Sequence, residues 1–210
     1  MSILIEDNAV LLFQGDSVTD CGRSQEDDNY LGAGYANMIA ASISAIYSEK
    51  NITIINKGIS GNRVKDLQGR WKEDCLELKP TWVSILIGIN DCWRRYDSND
   101  PTSVEDYEDG YRDLLTQIKS KTKANIILMD PFVLPVTEDR NKWREDLDPK
   151  IDAVRRLARE FKAIYLPLDG IFAQAATKIE PAFWTADGVH PTQSGHALIA
   201  TEWMKVVGAK

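Results

Sequence analysis

Val10-Leu11-Leu12-Phe13-Gln14-Gly15-Asp16-Ser17-Val18-Thr19-Asp20 is the stretch that decides the fold. Four consecutive apolar residues followed by a glycine, two acids and a serine read as a buried strand that ends in a sharp turn. A serine at such a turn is held at the rim of a sheet, where a substrate can reach it. Four further apolar runs follow, at residues 52–55, 82–87, 125–129 and 163–166. Several are apolar on consecutive positions and rich in Val and Ile, as strands covered on both faces should be. Between and after them lie segments with helical spacing, 35–47, 64–78, 104–119, 151–161 and 194–207. Strand alternating with helix predicts one α/β domain over residues 1–210, a three-layer α/β/α sandwich around a parallel sheet of about five strands. In such sheets ligands bind outside the carboxyl ends of the strands.

That rule places the polar motifs. Ser17 follows the first strand, Gly58 and Gly61 the second, and Gly88, Asn90 and Asp91 the third. Asp187 and His190, in Asp187-Gly188-Val189-His190-Pro191, fall in the last loop before the final helix. All are expected on one edge of the sheet. A serine nucleophile needs a base, and the base needs a group to orient it. The chain has two histidines. His196 lies at the start of the last helix with nothing nearby to orient it, so it reads as helix packing or helix surface. His190 has Asp187 three positions earlier, so Asp187 can accept from one ring nitrogen while the other faces Ser17. The tetrahedral oxyanion formed in ester cleavage requires preorganised donors. The Ser17 amide, a backbone N–H in the glycine-bearing loop 56–62, and the Asn90 side-chain amide are the candidates. Each alone also reads as ordinary turn chemistry.

Composition narrows the partners. The 210 residues carry a net charge of −7, which argues against nucleic acid and anionic membrane surfaces, since both call for basic patches. Cys21, Cys75 and Cys92 lack metal-type spacing, so no metal and no cofactor are expected. Residues 1–7 have no basic segment, and no apolar run approaches a membrane span. The sequence therefore reads as cytoplasmic, with no membrane partner.

Gly15-Asp16-Ser17, Gly61, Gly88-Ile89-Asn90-Asp91 and Asp187-x-x-His190 together resemble the SGNH hydrolases, the branch of the GDSL esterases and lipases named for Ser, Gly, Asn and His. The order and spacing agree across nearly the whole chain, with Val18 where the group's name has leucine. The resemblance implies a flavodoxin-like sandwich, a Ser17–His190–Asp187 triad, and an oxyanion hole built by Ser17, Gly61 and Asn90. The segments 15–23, 56–62 and 88–94 look like the bacterial acetylxylan esterases of this group, which implies deacetylation of small acetylated sugars such as xylo-oligosaccharides. Trp93, Trp143 and Trp184 are expected in loops at the active rim, where flat rings with an indole donor suit sugar faces. Trp82 and Trp203 read as core. Asp16, Trp93, Arg94 and Trp184 are the substrate-binding candidates. Arg95, Arg140 and Arg144 read as cations for sugar hydroxyls or a carboxylate, or as solvated loop residues. The polar stretches 94–106 and 135–149 read as excursions walling the site. A lysophospholipase or thioesterase on the same fold, and a non-catalytic carbohydrate-binding protein, are the rival readings. The acidic surface and loop tryptophans are compatible with a homo-oligomer.

Overall fold

A computed structural model describes residues 3–27 and 29–209. Residues 1, 2 and 210, the ends of the expected 1–210 span, lie outside the described residues, as does position 28. In chain order the elements are β1 (Val10–Gly15), α1 (Ser17–Asp20), α2 (Tyr35–Ile46), β2 (Thr53–Asn56), α3 (Val64–Trp71), β3 (Trp82–Leu86), α4 (Ile89–Asp97) and α5 (Val104–Lys121). They continue with β4 (Asn125–Met129), α6 (Arg144–Phe161), β5 (Ile164–Leu166), α7 (Leu168–Ala176), α8 (Pro181–Trp184) and α9 (Gln193–Val206). The five strands form one parallel sheet in the order β2-β1-β3-β4-β5. The chain steps outward from β1 to β2, then returns past β1 to lay down β3. That reversal opens a crevice at the carboxyl ends of β1 and β3, the place where open α/β sheets bind ligands.

Period-two alternation explains the two covered faces. Leu11, Phe13, Leu86, Ile127 and Met129 point to one face and meet Tyr35 and Ile39 of α2, Phe172 of α7, and Ile199 and Trp203 of α9. Leu12, Val83, Ile85, Ile126 and Leu128 point to the other and meet Leu67 and Trp71 of α3, Leu114 and Leu115 of α5, and Val154 and Leu157 of α6. Trp82 and Trp203 are core residues as expected, and the Trp203 Nε1–H donates to the buried Ser84 Oγ at 2.9 Å. Among the described residues, no helix is long and apolar enough to cross a membrane.

The structure departs from the sequence reading on the segments flanking the site. Residues 89–97 are helix, so Trp93 and Arg94 stand on α4 and not in a loop. The apolar positions Ile89, Cys92, Trp93 and Tyr96 follow an i, i+3, i+4, i+7 helical spacing that the turn residues Gly88 and Asn90 obscure. The helix expected at 151 begins at Arg144 and runs through Pro149. Pro149 sits near the start, where it removes the bond to the Glu145 carbonyl without stopping the helix. Burial of Leu147, Ile151, Val154 and Leu157 on one side of α6 accounts for that continuation. Helix α3 passes directly into a π-helical turn, Lys72–Leu76, and helices α7 and α8 extend the chain after β5. A third, smaller core of Ile89, Cys92, Val133, Trp143, Leu147, Ile151 and Val189 packs beneath the Asp187–His190 loop.

Candidate active site

The carboxyl ends of the strands bring the predicted residues together. Asp16 closes β1 and caps α1, its Oδ1 accepting the Val18 N–H at 3.0 Å. Ser17 is thereby presented at the first position of a single helical turn. Its Oγ lies 3.0 Å from His190 Nε2. His190 Nδ1 lies 2.8 Å from Asp187 Oδ2, while Asp187 Oδ1 accepts the N–H groups of Val189 at 2.9 Å and His190 at 2.8 Å. Both carboxylate oxygens are thus committed, one to the ring and one to the loop that carries it. Burial alone would raise the Asp187 carboxyl, but the His190 ring bond, the two backbone bonds and the His190 charge outweigh it and hold it well below the ordinary carboxylate range. The bond to Asp187 is the largest influence on His190 and raises it above its ordinary 6.5, against partial burial.

The three expected oxyanion donors are Ser17 N–H, Gly61 N–H and the Asn90 amide. Neither the Ser17 nor the Gly61 backbone N–H has a hydrogen-bond partner among the described residues. Gly61 adopts φ +82 and a side chain there would meet open space, so glycine is required by the left-handed backbone and not by crowding. Asn90 Nδ2 donates to the Asn62 carbonyl at 3.1 Å, which orients the amide and uses one of its two hydrogens. Sequence reasoning missed the residues that hold these loops. Asn56 Nδ2 donates to the carbonyls of Thr19 at 2.7 Å and Leu31 at 2.9 Å. Asp20 Oδ2 accepts from Ser60 N and Oγ, both at 2.9 Å. Asp91 Oδ2 accepts the Val64 N–H at 3.2 Å. Their partners, backbone groups and the Ser60 hydroxyl, lie far along the chain and leave no motif.

Of the substrate-binding candidates, only Trp93 touches the relay, its half-exposed ring 5.7 Å from that of His190. Asp16 is buried, and burial lifts its carboxyl to about 7; its Oδ1 is taken up in capping α1. Arg94 is ion-paired along α4 with Asp97. Trp184 packs on the core beside α9, with its ring edge-on to Phe183. Trp143 is buried, stacked on Tyr96 at 5.4 Å. Arg95 pairs with Glu145 and Asp146, and Arg144 with Asp169 through both nitrogens. His196 is a core residue: its Nδ1 accepts the Tyr35 N–H at 3.1 Å and its Nε2 faces Cys21 Sγ at 3.4 Å. Burial and the neighbouring His190 push His196 down to about 4, so it stays neutral and plays no part in the relay.

Known proteins carry the same arrangement. Residues 13–198 match the GDSL-like lipase/acylhydrolase family. The chain belongs to that family. This acylhydrolase is 37% identical, over 94% of its length and 93% of the relative, to an acetylxylan esterase from Geobacillus stearothermophilus. Crystal structures of that esterase superpose with a TM-score of 0.92 at 36% identity, covering 99% of this chain and 98% of the other. Those structures include catalytic mutants in which a serine, an aspartate and a histidine are each replaced by alanine. A GDSL-like lipase structure from Parabacteroides merdae superposes with a TM-score of 0.94 at 36% identity over both full chains. The acylhydrolase is therefore a carboxylic ester hydrolase with the Ser–His–Asp chemistry of this family and its α/β/α fold.

Proposed function

We propose that the protein removes O-acetyl groups from short acetylated xylo-oligosaccharides. The observation that carries this reading is the assembled relay, Ser17 Oγ to His190 Nε2 at 3.0 Å and His190 Nδ1 to Asp187 Oδ2 at 2.8 Å, beside two unpaired backbone donors. The acetyl substrate is supported by the likeness to the Geobacillus esterase over nearly the whole chain. Asp187 keeps the His190 proton on Nδ1, so Nε2 accepts the Ser17 proton as Oγ attacks the acetyl carbonyl. The N–H groups of Ser17 and Gly61 and the Asn90 amide hold the oxyanion. His190 then donates to the departing sugar oxygen, and later takes a proton from the water that releases acetate. Trp93 walls the site next to the base and offers a flat face to the leaving sugar. Cys21, Cys75 and Cys92 are free thiols, which suits a reducing, cytoplasmic place of action.

The test is hydrolysis of acetyl through octanoyl esters beside a peracetylated xylo-oligosaccharide, with Ser17→Ala as the blank. Steep preference for acetyl with acetate release from the sugar is the expected result. Preference for long acyl chains transfers the assignment to a lipase or thioesterase and leaves the relay standing.

A further inference from the structure

Arg140 lies in a 3-10 turn, Glu138–Trp143, that no motif marks. Its Nε donates to the Asp187 carbonyl oxygen at 2.9 Å, and its Nη1 pairs with Asp139 at 2.7 Å. The guanidinium carbon lies over two indoles that are themselves packed together, 4.1 Å from the Trp143 ring centre and 5.1 Å from that of Trp93. Trp93 in turn lies against the His190 ring. Gly188, between the two relay residues, adopts φ +93, and a Cβ there would lie 3.2 Å from Arg140 Cγ. The loop 187–190 thus has a left-handed bend at its centre and is tied to the segment 134–140 by two bonds, Leu134 N–H to the Gly188 carbonyl at 2.8 Å and Arg140 to the Asp187 carbonyl.

We propose that Arg140 is a positioning residue for the relay: it clamps the main chain of Asp187 and fixes a positive charge beside His190. The proposal rests on the Ser17–His190–Asp187 reading. A guanidinium suits the place because it bonds the Asp187 carbonyl through Nε while its planar cation lies over the adjoining Trp143 and Trp93 rings, a combination an ammonium does not match. The charged and titratable groups around His190 are Asp187 on its own loop, Asp16 at the end of β1, Arg140 in the 3-10 turn and His196 on α9. The two carboxylates favour the imidazolium, while Arg140 opposes it. The clamp therefore aligns the base and restrains its protonation with one side chain.

The experiment compares full-length Arg140→Met and Arg140→Lys with the parent, using kcat, KM and the pH profile of kcat/KM on a short acetyl ester. Rates are referred to folded protein from melting curves. Displacement of the base by a fraction of an ångström to an ångström is expected to lower kcat about 10- to 100-fold in both variants, with KM little changed. The acid limb moves to higher pH in Arg140→Met, where the opposing charge is lost, and stays near the parent's in Arg140→Lys, where the charge remains. A parent-like kcat and limb in Arg140→Met overturns the proposal. So does a raised KM at unchanged kcat, which makes Arg140 a substrate ligand. Parent-like turnover by Ser17→Ala overturns the relay itself, and is read separately from either of these.

Discussion

Replacing Asp187 by Asn tests how the relay chooses its tautomer. The carboxylate accepts three bonds, from His190 Nδ1 on one oxygen and from the Val189 and His190 N–H groups on the other. An amide has only one acceptor oxygen. If that oxygen stays with the backbone pair, the NH2 group faces Nδ1 and forces the ring proton onto Nε2, where it points at Ser17 and cannot accept. If the amide turns over, the ring is satisfied and two backbone donors lose their acceptor. At about 1–3 kcal/mol for each partly buried donor, the productive orientation is disfavoured by about 2–6 kcal/mol, or about 30-fold to 10⁴-fold at 1.36 kcal/mol per decade. Loss of the negative charge that stabilises the imidazolium adds to this, so the upper end, about 10⁴ in kcat, is the expectation. The assay is steady-state hydrolysis of a chromogenic acetate at saturation, with melting curves to confirm an intact fold. A fall of less than about 10-fold, well under that range, refutes the tautomer argument.

Other outcomes follow from the same geometry. His190 must be neutral to act, and its partner Asp187 raises it above the ordinary 6.5, so kcat/KM should fall on the acid side along a limb centred above that value; a flat profile from pH 5 to 8 counts against an imidazole base. Asn90→Ala should lower kcat by about 100- to 1,000-fold, and a loss of only a few-fold in steady-state rates reduces Asn90 to a clamp for the Asn62 carbonyl. Gly188→Ala places a methyl 2.5 Å from the Leu134 carbonyl at a left-handed backbone, so calorimetry should record destabilisation of about 1–3 kcal/mol or more. An unchanged melting temperature there shows that the loop takes up the strain at no cost.

The strands and the relay were legible because their signals are local. Leu12, Val83 and Leu128 sit in apolar runs, and a parallel sheet covered on both faces demands such runs. Ser17, Asp187 and His190 are residue types that nucleophilic chemistry needs, the serine directly after β1 and the pair in the last loop before α9. Asp16 was legible as a neighbour of Ser17, but its role turned on burial, which adjacency does not reveal. The tryptophans could not be told apart for a similar reason. Trp93, Trp143 and Trp184 look alike in polar stretches, yet one flanks the base, one fills a core and one packs on α9. Helix α4 was hidden because Gly88-Ile89-Asn90-Asp91 signals a turn, while the burial that stabilises the helix comes from Val133 and Leu147, far along the chain. Arg140 was read as a cation for sugar hydroxyls or a carboxylate, or as a solvated loop residue, since its aromatic seat is assembled from distant segments.

The bonding pattern divides the site into two bodies. The nucleophile and the proposed oxyanion donors form one: Asn56 binds the Thr19 carbonyl, Asp20 binds Ser60, Asn90 binds the Asn62 carbonyl and Asp91 binds the Val64 N–H. These cross-links join the tails of β1, β2 and β3, so the donors are aimed before substrate arrives, and no reorganisation is left for the transition state. The Asp187–His190 loop forms the other, held by Leu134, Arg140 and the small core around Val189. Helix α4 joins the two, because Asn90 and Trp93 stand three residues apart on it, one at the oxyanion side and the other against the base. Tilting α4 would therefore move donor and base together, preserving the Ser17–His190 distance less well than either body preserves its own bonds. Substitutions packed under α4, such as Leu147→Ala, should on this argument lower kcat beyond what their loss of stability explains, and a rate that tracks folded protein alone would sink it.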